Sequence, residues 1–185
     1  MSQAAEKQAT YEDIVALPEN LVGELIHGQL HATPRPAPKH AQAYSALGGN
    51  LFNPFGRGAN GPGGWWILDE PELHLGENVL VPDLAGWHRE RMSELPDTAW
   101  FELAPDWVCE ILSPSTARLD RGLKMPLYAT QKIPHLWLVD PDAKLLEVYE
   151  LHDGHWTLLA TLKDDEPVRQ PPFDAIEFPL DSLWT

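Results

Sequence analysis

The spacing of apolar and polar residues in the first third of the chain predicts helical elements on either side of a hairpin. Thr10 followed by acidic residues is typical of a helix start and predicts a short helix over about 10–17. Apolar residues on both sides of a Gly-containing turn predict a hairpin over 24–31. Apolar residues then recur every four positions and predict a long helix over about 38–52, followed by a Gly- and Pro-rich loop at 53–64.

The rest of the chain has the pattern of a central sheet. Near-continuous apolar runs at 107–112 and 135–139 indicate strands buried on both faces. A helix is predicted over about 119–131, with Pro126 either kinking it or marking its first turn. Further strands are predicted at 65–68, 73–75, 83–87, 144–149 and 155–159. The fold class expected is α/β: a mixed β-sheet flanked by helices, with an N-terminal helix-hairpin element and C-terminal strands.

Composition agrees with an ordinary globular protein. At 185 residues the chain has the length of one domain over 1–185, and it is 43% hydrophobic and 22% charged. The single cysteine, Cys109, excludes a disulfide within the chain and is interpreted as a core residue. Because there is no signal-peptide pattern and no apolar run near ~20 residues, we expect a cytoplasmic protein that does not contact membranes.

The formal net charge of −15 argues against a protein that coats nucleic acid through a basic surface. The charge is uneven along the chain, however. Residues 140–185 contain eleven acidic and three basic residues, whereas residues 110–139 contain four basic and two acidic ones. We therefore expect any nucleic acid to be bound weakly and locally.

Two acidic residues occur where carboxylates are costly. Glu110 lies inside an apolar strand, and Asp83 begins another strand after an apolar run. A buried carboxylate costs several kcal/mol unless it is paired or binds a metal. If the two converge, a divalent cation would relieve their repulsion, and oxygen ligands favour Mg²⁺ or Mn²⁺. The alternative is that each acid faces a Lys or Arg, or reaches solvent at a strand end.

A lysine follows these acids on the predicted helix. Asp120, Lys124 and Tyr128 are four residues apart and therefore share one helix face. A lysine aimed at a metal-bound water could orient it or stabilise the charge of a phosphate under attack. The alternative is a surface lysine paired with Asp120, an interaction that contributes only about 0.3–0.5 kcal/mol.

Other candidate sites are weaker. His27 and His31 fall on a hairpin rather than a helix, and neither H-E-x-x-H nor a cysteine pair supports a zinc site. His40 is interpreted as a packed or surface residue rather than a ligand. Ser113 lacks the G-x-S-x-G context of a serine hydrolase. Trp65 and its neighbour Trp66 are interpreted as core residues, with an exposed stacking or dimerisation patch as the alternative.

The order and spacing of these residues resemble a known family. The resemblance rests on four segments. They are the Val81-Pro82-Asp83 run, the run from Val108 to Thr116 around Glu110, the Asp120/Lys124/Tyr128 face and the strand from His135 to Pro141. The Glu24 hairpin and the His40 helix add to the likeness. Together they resemble the bacterial putative restriction endonuclease domain family of the PD-(D/E)xK nuclease superfamily, over about residues 10–160.

The resemblance implies a restriction-endonuclease-like fold and a metal-dependent endonuclease, with DNA as the expected substrate and a homodimer as a possible assembly. It implies that Asp83 and Glu110 bind Mg²⁺ or Mn²⁺. The superfamily's lysine, two places after the second acid, is missing because Leu112 stands there, and Lys124 matches a substitute from the next helix. Glu24 matches an acid that completes the metal shell. The roles of Asp120 and Tyr128 stay open, and the alternative function is a catalytically degenerate fold acting as a protein-interaction module.

Overall fold

The computed structural model describes residues 8–184 and contains three sheets in that range. The largest has six strands in the order β10-β9-β8-β7-β6-β3, the second has four in the order β2-β1-β5-β4, and the third pairs β11 with β12. The strands are β1 (Leu21–Ile26), β2 (Gln29–Pro34), β3 (Trp65–Asp69), β4 (Leu73–Leu75), β5 (Asn78–Leu80), β6 (Leu84–His88), β7 (Trp107–Ile111), β8 (His135–Asp140), β9 (Leu145–His152), β10 (His155–Lys163), β11 (Pro167–Val168) and β12 (Phe178–Pro179).

Helical segments cover both faces of the six-stranded sheet. The α-helices are α1 (Tyr11–Val15), α2 (Pro38–Leu51), α3 (Ala117–Leu119) and α4 (Met125–Thr130). A π-helical turn at Phe52–Gly56 extends α2, another at Asp120–Lys124 joins α3 to α4, and a 3-10 helix lies at Leu180–Leu183. Residues 117–130 therefore form one continuous helical connection between β7 and β8, whose pairing is parallel.

Strand alternation sorts the core into two layers. On β7, Trp107, Cys109 and Ile111 face α2 and the C-terminal segment, where Phe173 completes an aromatic cluster. Val108 faces the other way, toward α4 and the four-stranded sheet. Glu110 has the same strand parity as Val108 and therefore belongs to the second layer.

Register places the two strand acids side by side. Leu84 of β6 pairs with Cys109 of β7 in antiparallel fashion, so Asp83 and Glu110 come next along the two strands. Residues that pair across an antiparallel ladder lie opposite each other and on the same face of the sheet, so Asp83 and Glu110 are placed side by side. The sequence predicted a strand that begins at Asp83, whereas β6 begins one residue later, so that Asp83 lies just before it.

The hairpin prediction is confirmed by the antiparallel pairing of β1 with β2. Its two-residue turn, His27 and Gly28, has φ values of 52° and 75°, as a type I′ turn requires. The loop predicted at 53–64 begins instead with the π-helical turn that follows α2. Strand β5 and everything after β10 were not predicted, because these segments are too short to show periodicity.

The helix predicted at 119–131 exists but is irregular. Pro126 lies in the first turn of α4, as one of the two alternatives anticipated, and the π-helical turn directly precedes it. A proline has no N–H for the carbonyl four residues earlier, so the hydrogen-bond pattern must shift at this point. Within residues 8–184, no helix is long and apolar enough to cross a membrane.

The aromatic cluster around Phe173 provides a test of the fold. The Phe173 ring lies 4.7 Å from Phe55 and 4.9 Å from Trp107, measured between ring centroids, and it is fully buried. We expect Phe173→Ala to lower the free energy of unfolding by about 3–5 kcal/mol in urea denaturation. Leu158→Ala on the exposed side of β10 is the control and should change it by less than about 0.5 kcal/mol. Equal effects of the two substitutions would contradict this packing.

Candidate functional site

Four acids and a lysine from separate elements line one cavity of about 300 Å³. We call it the acidic cavity and define it by Glu24, Asp83, Glu110, Asp120 and Lys124. Glu24 comes from the four-stranded sheet, Asp83 and Glu110 from the six-stranded sheet, and Asp120 and Lys124 from the helical connection. Residues that are up to 100 positions apart in the sequence therefore meet where the two sheets and the connection join.

Lys124 is the centre of this cavity. Its Nζ lies 2.8 Å from Glu110 Oε1 and 3.0 Å from Glu24 Oε1, and its side chain is only 3% exposed. Asp120 Oδ1 lies 3.8 Å away on the same helical segment. The pairing with Asp120 that the sequence suggested is thus the longest of three ion pairs, and the lysine is buried rather than on the surface.

Glu110 is held by Tyr128 as well as by Lys124. The Tyr128 hydroxyl, one helical turn beyond Lys124, donates a hydrogen bond to Glu110 Oε1. Both side chains are fully buried in the core layer between the sheets. Tyr128 therefore fixes the orientation of the Glu110 carboxylate without lining the cavity itself.

Glu24 joins the two sheets at the cavity. Its Oε1 accepts a hydrogen bond of 2.8 Å from the backbone N–H of Val81, in addition to the Lys124 contact. Val81 lies between β5 and β6, in the segment that leads to Asp83. The hydrogen bond therefore fixes the chain just ahead of the candidate metal ligand.

Asp83 is held by two donors. Its Oδ2 accepts a hydrogen bond of 2.7 Å from the backbone N–H of Ile111, the residue after Glu110. His40 Nε2, from the first turn of α2, lies 3.4 Å from the same oxygen. The Asp83 side chain is 15% exposed and the Glu110 side chain 3% exposed, so Asp83 is the more accessible of the two acids.

Burial and mutual repulsion shift the pKa values of the acids. Burial, followed by the charges of Asp120, Asp83 and Glu24, raises the pKa of Glu110 well above its ordinary value, although Lys124 opposes the shift. Burial likewise raises the pKa of Asp120 to about 6. The cavity therefore contains four carboxyl groups and one ammonium, and two of the carboxyl groups hold a proton more strongly than usual.

The pKa values of the two basic groups are raised as well, in their case by the neighbouring carboxylates. Burial disfavours the charged form of Lys124, but the neighbouring carboxylates of Glu110 and Glu24 outweigh it and raise the pKa of the ammonium well above its ordinary value. Burial also opposes protonation of His40, yet its hydrogen bond to Asp83 gives a net rise in the pKa of the imidazole. Lys124 thus remains a fixed positive charge.

The donor set fits a hard divalent cation that is completed by water or substrate. Within the described residues, no group of three or more His, Cys, Asp and Glu side chains is arranged as a complete metal site. Mg²⁺ usually keeps several waters and binds through one or two carboxylates together with substrate phosphates. Two carboxylates on one face, in a cavity that contains four carboxyl groups, match that requirement.

The sequence did not identify His40 as part of this site. The structure places its ring against Asp83, with Nδ1 buried and without a hydrogen-bond partner. His40 is the third residue of α2, and its position in the sequence has no regular spacing to Asp83 that would have predicted the contact. Leu112, two positions after Glu110, is a buried core residue.

A model of the Uma2 family, described as "Putative restriction endonuclease", matches residues 10–181. No curated protein matches the chain at a significant level. Among solved structures, the chain is similar to the 1.96 Å crystal structure of a putative nuclease belonging to DUF820 from Anabaena variabilis ATCC 29413. The TM-score is 0.74 and the identity 23%, over 95% of this chain and 97% of that chain, which confirms the fold.

The raised pKa of Asp120 predicts a pH-dependent effect of its removal. A carboxyl whose pKa rises from 3.8 to about 6 on folding stabilises the protein below pH 3.8 and loses that contribution as pH rises through about 6. The Asp120→Asn variant has no carboxyl at this position, so it does not lose this contribution to stability as the pH rises. Without metal ions, the free energy of unfolding of Asp120→Asn relative to the wild type should therefore increase by on the order of 2 kcal/mol between about pH 4 and pH 7.

Urea denaturation in a chelator at several pH values measures this difference. The exposed Asp165→Asn is the control, and its difference from the wild type should stay constant over the same range. A relative stability of Asp120→Asn that is flat or falls with pH would show that Asp120 is not held in a charge-rich buried cavity.

Proposed function

The chain belongs to the Uma2 family of putative restriction endonucleases, and we propose that it is an endonuclease that uses Mg²⁺ or Mn²⁺ to hydrolyse phosphodiester bonds of nucleic acid, with DNA as the substrate. The observation that carries the proposal is the buried Lys124 ammonium, 2.8 Å from Glu110 in a cavity that Asp83 also lines. Two carboxylates and a lysine are the groups that such a reaction needs, and they come from three separate elements.

Asp83 and Glu110 would hold the metal ion. The ion, when bound, supplies Lewis-acid polarisation of the phosphate and a more acidic water. The carboxylates contribute oxygen donors on one face of the sheet, where the antiparallel register keeps them adjacent. Burial raises the pKa of Glu110 well above its ordinary value, so a cation bound there would replace a proton.

Lys124 would act on the phosphate or on the attacking water. Its ammonium has three N–H donors, and its nearest acceptors are now the carboxylates of Glu110 and Glu24 and the Val81 carbonyl. A fixed positive charge in a water-poor cavity stabilises the charge that develops on a phosphate more than it would in water. Because the carboxylates keep Lys124 protonated, it would serve as a charge and hydrogen-bond donor rather than as a general base.

His40 and Tyr128 would position the metal ligands. His40 and the Ile111 N–H both contact Asp83 Oδ2, which leaves the other carboxylate oxygen for a ligand. Tyr128 donates to Glu110 in the same manner. Outer partners of this kind orient ligand side chains, and their loss typically weakens metal affinity about 10–100-fold.

Substitution of the proposed ligands should abolish cleavage. We expect Asp83→Asn and Glu110→Gln to lower kcat/KM for a labelled oligonucleotide in Mg²⁺ by at least about 1000-fold, because each change removes a charged metal ligand. Lys124→Gln should cost about 100-fold or more through lost stabilisation of the phosphate. Circular dichroism and thermal denaturation establish that each variant is folded.

Matched surface variants serve as controls for this experiment. Asp165→Asn and Lys163→Met change the same residue types at exposed positions and should retain wild-type activity. Full activity of the folded Asp83→Asn variant would refute the assignment. If the wild-type protein cleaves no nucleic acid with any divalent cation, the alternative of a catalytically degenerate interaction module is favoured.

Metal binding can be measured independently of cleavage. Calorimetric titration of the wild type with Mn²⁺ should show binding that Asp83→Asn abolishes, because Asp83 supplies the more accessible carboxylate. His40→Ala should weaken the binding by about 10–100-fold while the protein remains folded. Binding that is unaffected by Asp83→Asn would place the ion elsewhere.

A further inference from the structure

The reactive groups of the acidic cavity lie deep inside the protein. Glu24, Glu110 and Lys124 are each only 3% exposed. We propose that the substrate of this site is an unpaired strand of nucleic acid, a single-stranded segment or a frayed end, rather than intact duplex. This inference rests on the proposed nuclease function and names its substrate class.

The size of the cavity limits what can enter. Its volume of about 300 Å³ is at the low end for pockets that hold small molecules. The segment from Thr33 to Ala37 forms one wall and the segment from Ser113 to Leu119 contributes another. A phosphate group that reaches Lys124 must therefore enter a small cavity that these two segments line.

The chemistry of the walls suits a nucleotide rather than a bare phosphate. Hydroxyl groups of Thr33, Ser113 and Thr116 alternate with apolar side chains such as Pro34 and Leu119. Hydroxyls can hydrogen-bond a sugar or a base edge, and apolar side chains can pack against a base face. In a paired duplex the base faces are stacked and out of reach of such walls.

Charge at the cavity also argues against a duplex. Of the cavity-lining residues in the described part of the chain, Arg35 and Lys124 carry full positive charge, and Lys124 is occupied by carboxylates. Arg35 is exposed, and its Nε donates a hydrogen bond to the Glu19 carbonyl. Tight duplex binding requires many phosphate contacts, and a net charge of −15 opposes it. One arginine at the entrance is enough to guide a short unpaired segment.

The energetic cost differs between the two forms of substrate. Duplex DNA has a persistence length of about 50 nm and does not bend one strand into a small cavity. Extruding a nucleotide from a duplex costs a few kcal/mol, and this cost is least for an unpaired base. We therefore expect a preference of roughly 100-fold for unpaired substrate.

Cleavage of three matched DNA substrates tests this proposal with the full-length protein and Mn²⁺. The substrates are one labelled oligonucleotide, its perfect duplex, and a duplex of the same sequence with a central unpaired stretch. We expect kcat/KM for the single strand to exceed that for the perfect duplex by roughly 100-fold, and we expect cuts in the third substrate to fall within or beside the unpaired stretch.

The outcomes separate the inference from the proposed function. Cleavage of the perfect duplex as fast as the single strand, by a protein that Asp83→Asn inactivates, would refute the inference and leave the nuclease function intact. If none of the three substrates is cleaved, or if Asp83→Asn cleaves them like the wild type, the proposed function fails and the inference fails with it.

Arg35 provides a second measurement on the single strand. Arg35→Gln should raise KM by roughly 10-fold with little change in kcat. The reason is that Arg35 would bind the strand equally well in the ground state and in the transition state. The control is Arg57→Gln, an exposed arginine beyond the C-terminal end of α2, whereas the cavity lies at the N-terminal end of that helix. Equal KM values for the two variants would contradict entry of the strand past Arg35.

Discussion

A single buried ammonium group connects the main parts of this structure. Lys124 Nζ lies between a carboxylate of the four-stranded sheet, Glu24, and one of the six-stranded sheet, Glu110. Removing one partner of a buried ion pair leaves an uncompensated charge and typically costs about 3–5 kcal/mol. The helical connection, the two sheets and the cavity must therefore keep one relative arrangement for all of these charges to be satisfied.

The position of that lysine follows from the way the connection between β7 and β8 is built. The position two residues after Glu110 holds Leu112, which packs in the core. The helical segment begins five residues later and carries Lys124 back over the end of β7 through its π-helical turn. The same ammonium can thus reach Glu110 from the helix side, and Tyr128 on the following turn anchors the same carboxylate.

The sequence predicted those strands and site residues that follow from regular apolar runs or regular spacing. The apolar runs around Val108 and Leu138 placed the central strands, and the acid inside the first run marked Glu110 as a site residue because a buried carboxylate needs a partner. The four-residue spacing of Asp120 and Lys124 placed both on the face that lines the cavity. The likeness to a nuclease family, drawn from the order of these residues, is confirmed by the family match.

Long-range contacts could not be predicted in the same way. The approach of His40 to Asp83 depends on how α2 packs on the sheet, and nothing in the local sequence encodes that distance. The π-helical turns depend on competition between hydrogen-bond patterns near Pro54 and Pro126 rather than on apolar spacing. The alternative was that each acid faces a Lys or Arg, or reaches solvent at a strand end. Glu110 does pair with Lys124, whereas Asp83 accepts a hydrogen bond from the Ile111 N–H and is 15% exposed.

The location of a bound metal ion tests the central claim most directly. Crystals of the protein soaked in Mn²⁺ can be measured at a wavelength where manganese scatters anomalously, so that the ion is identified by element and position. Our account predicts an anomalous peak in the acidic cavity, with carboxylate oxygens of Asp83 and Glu110 as ligands. A cavity without such a peak at saturating Mn²⁺, or a peak bound by other residues, would contradict it.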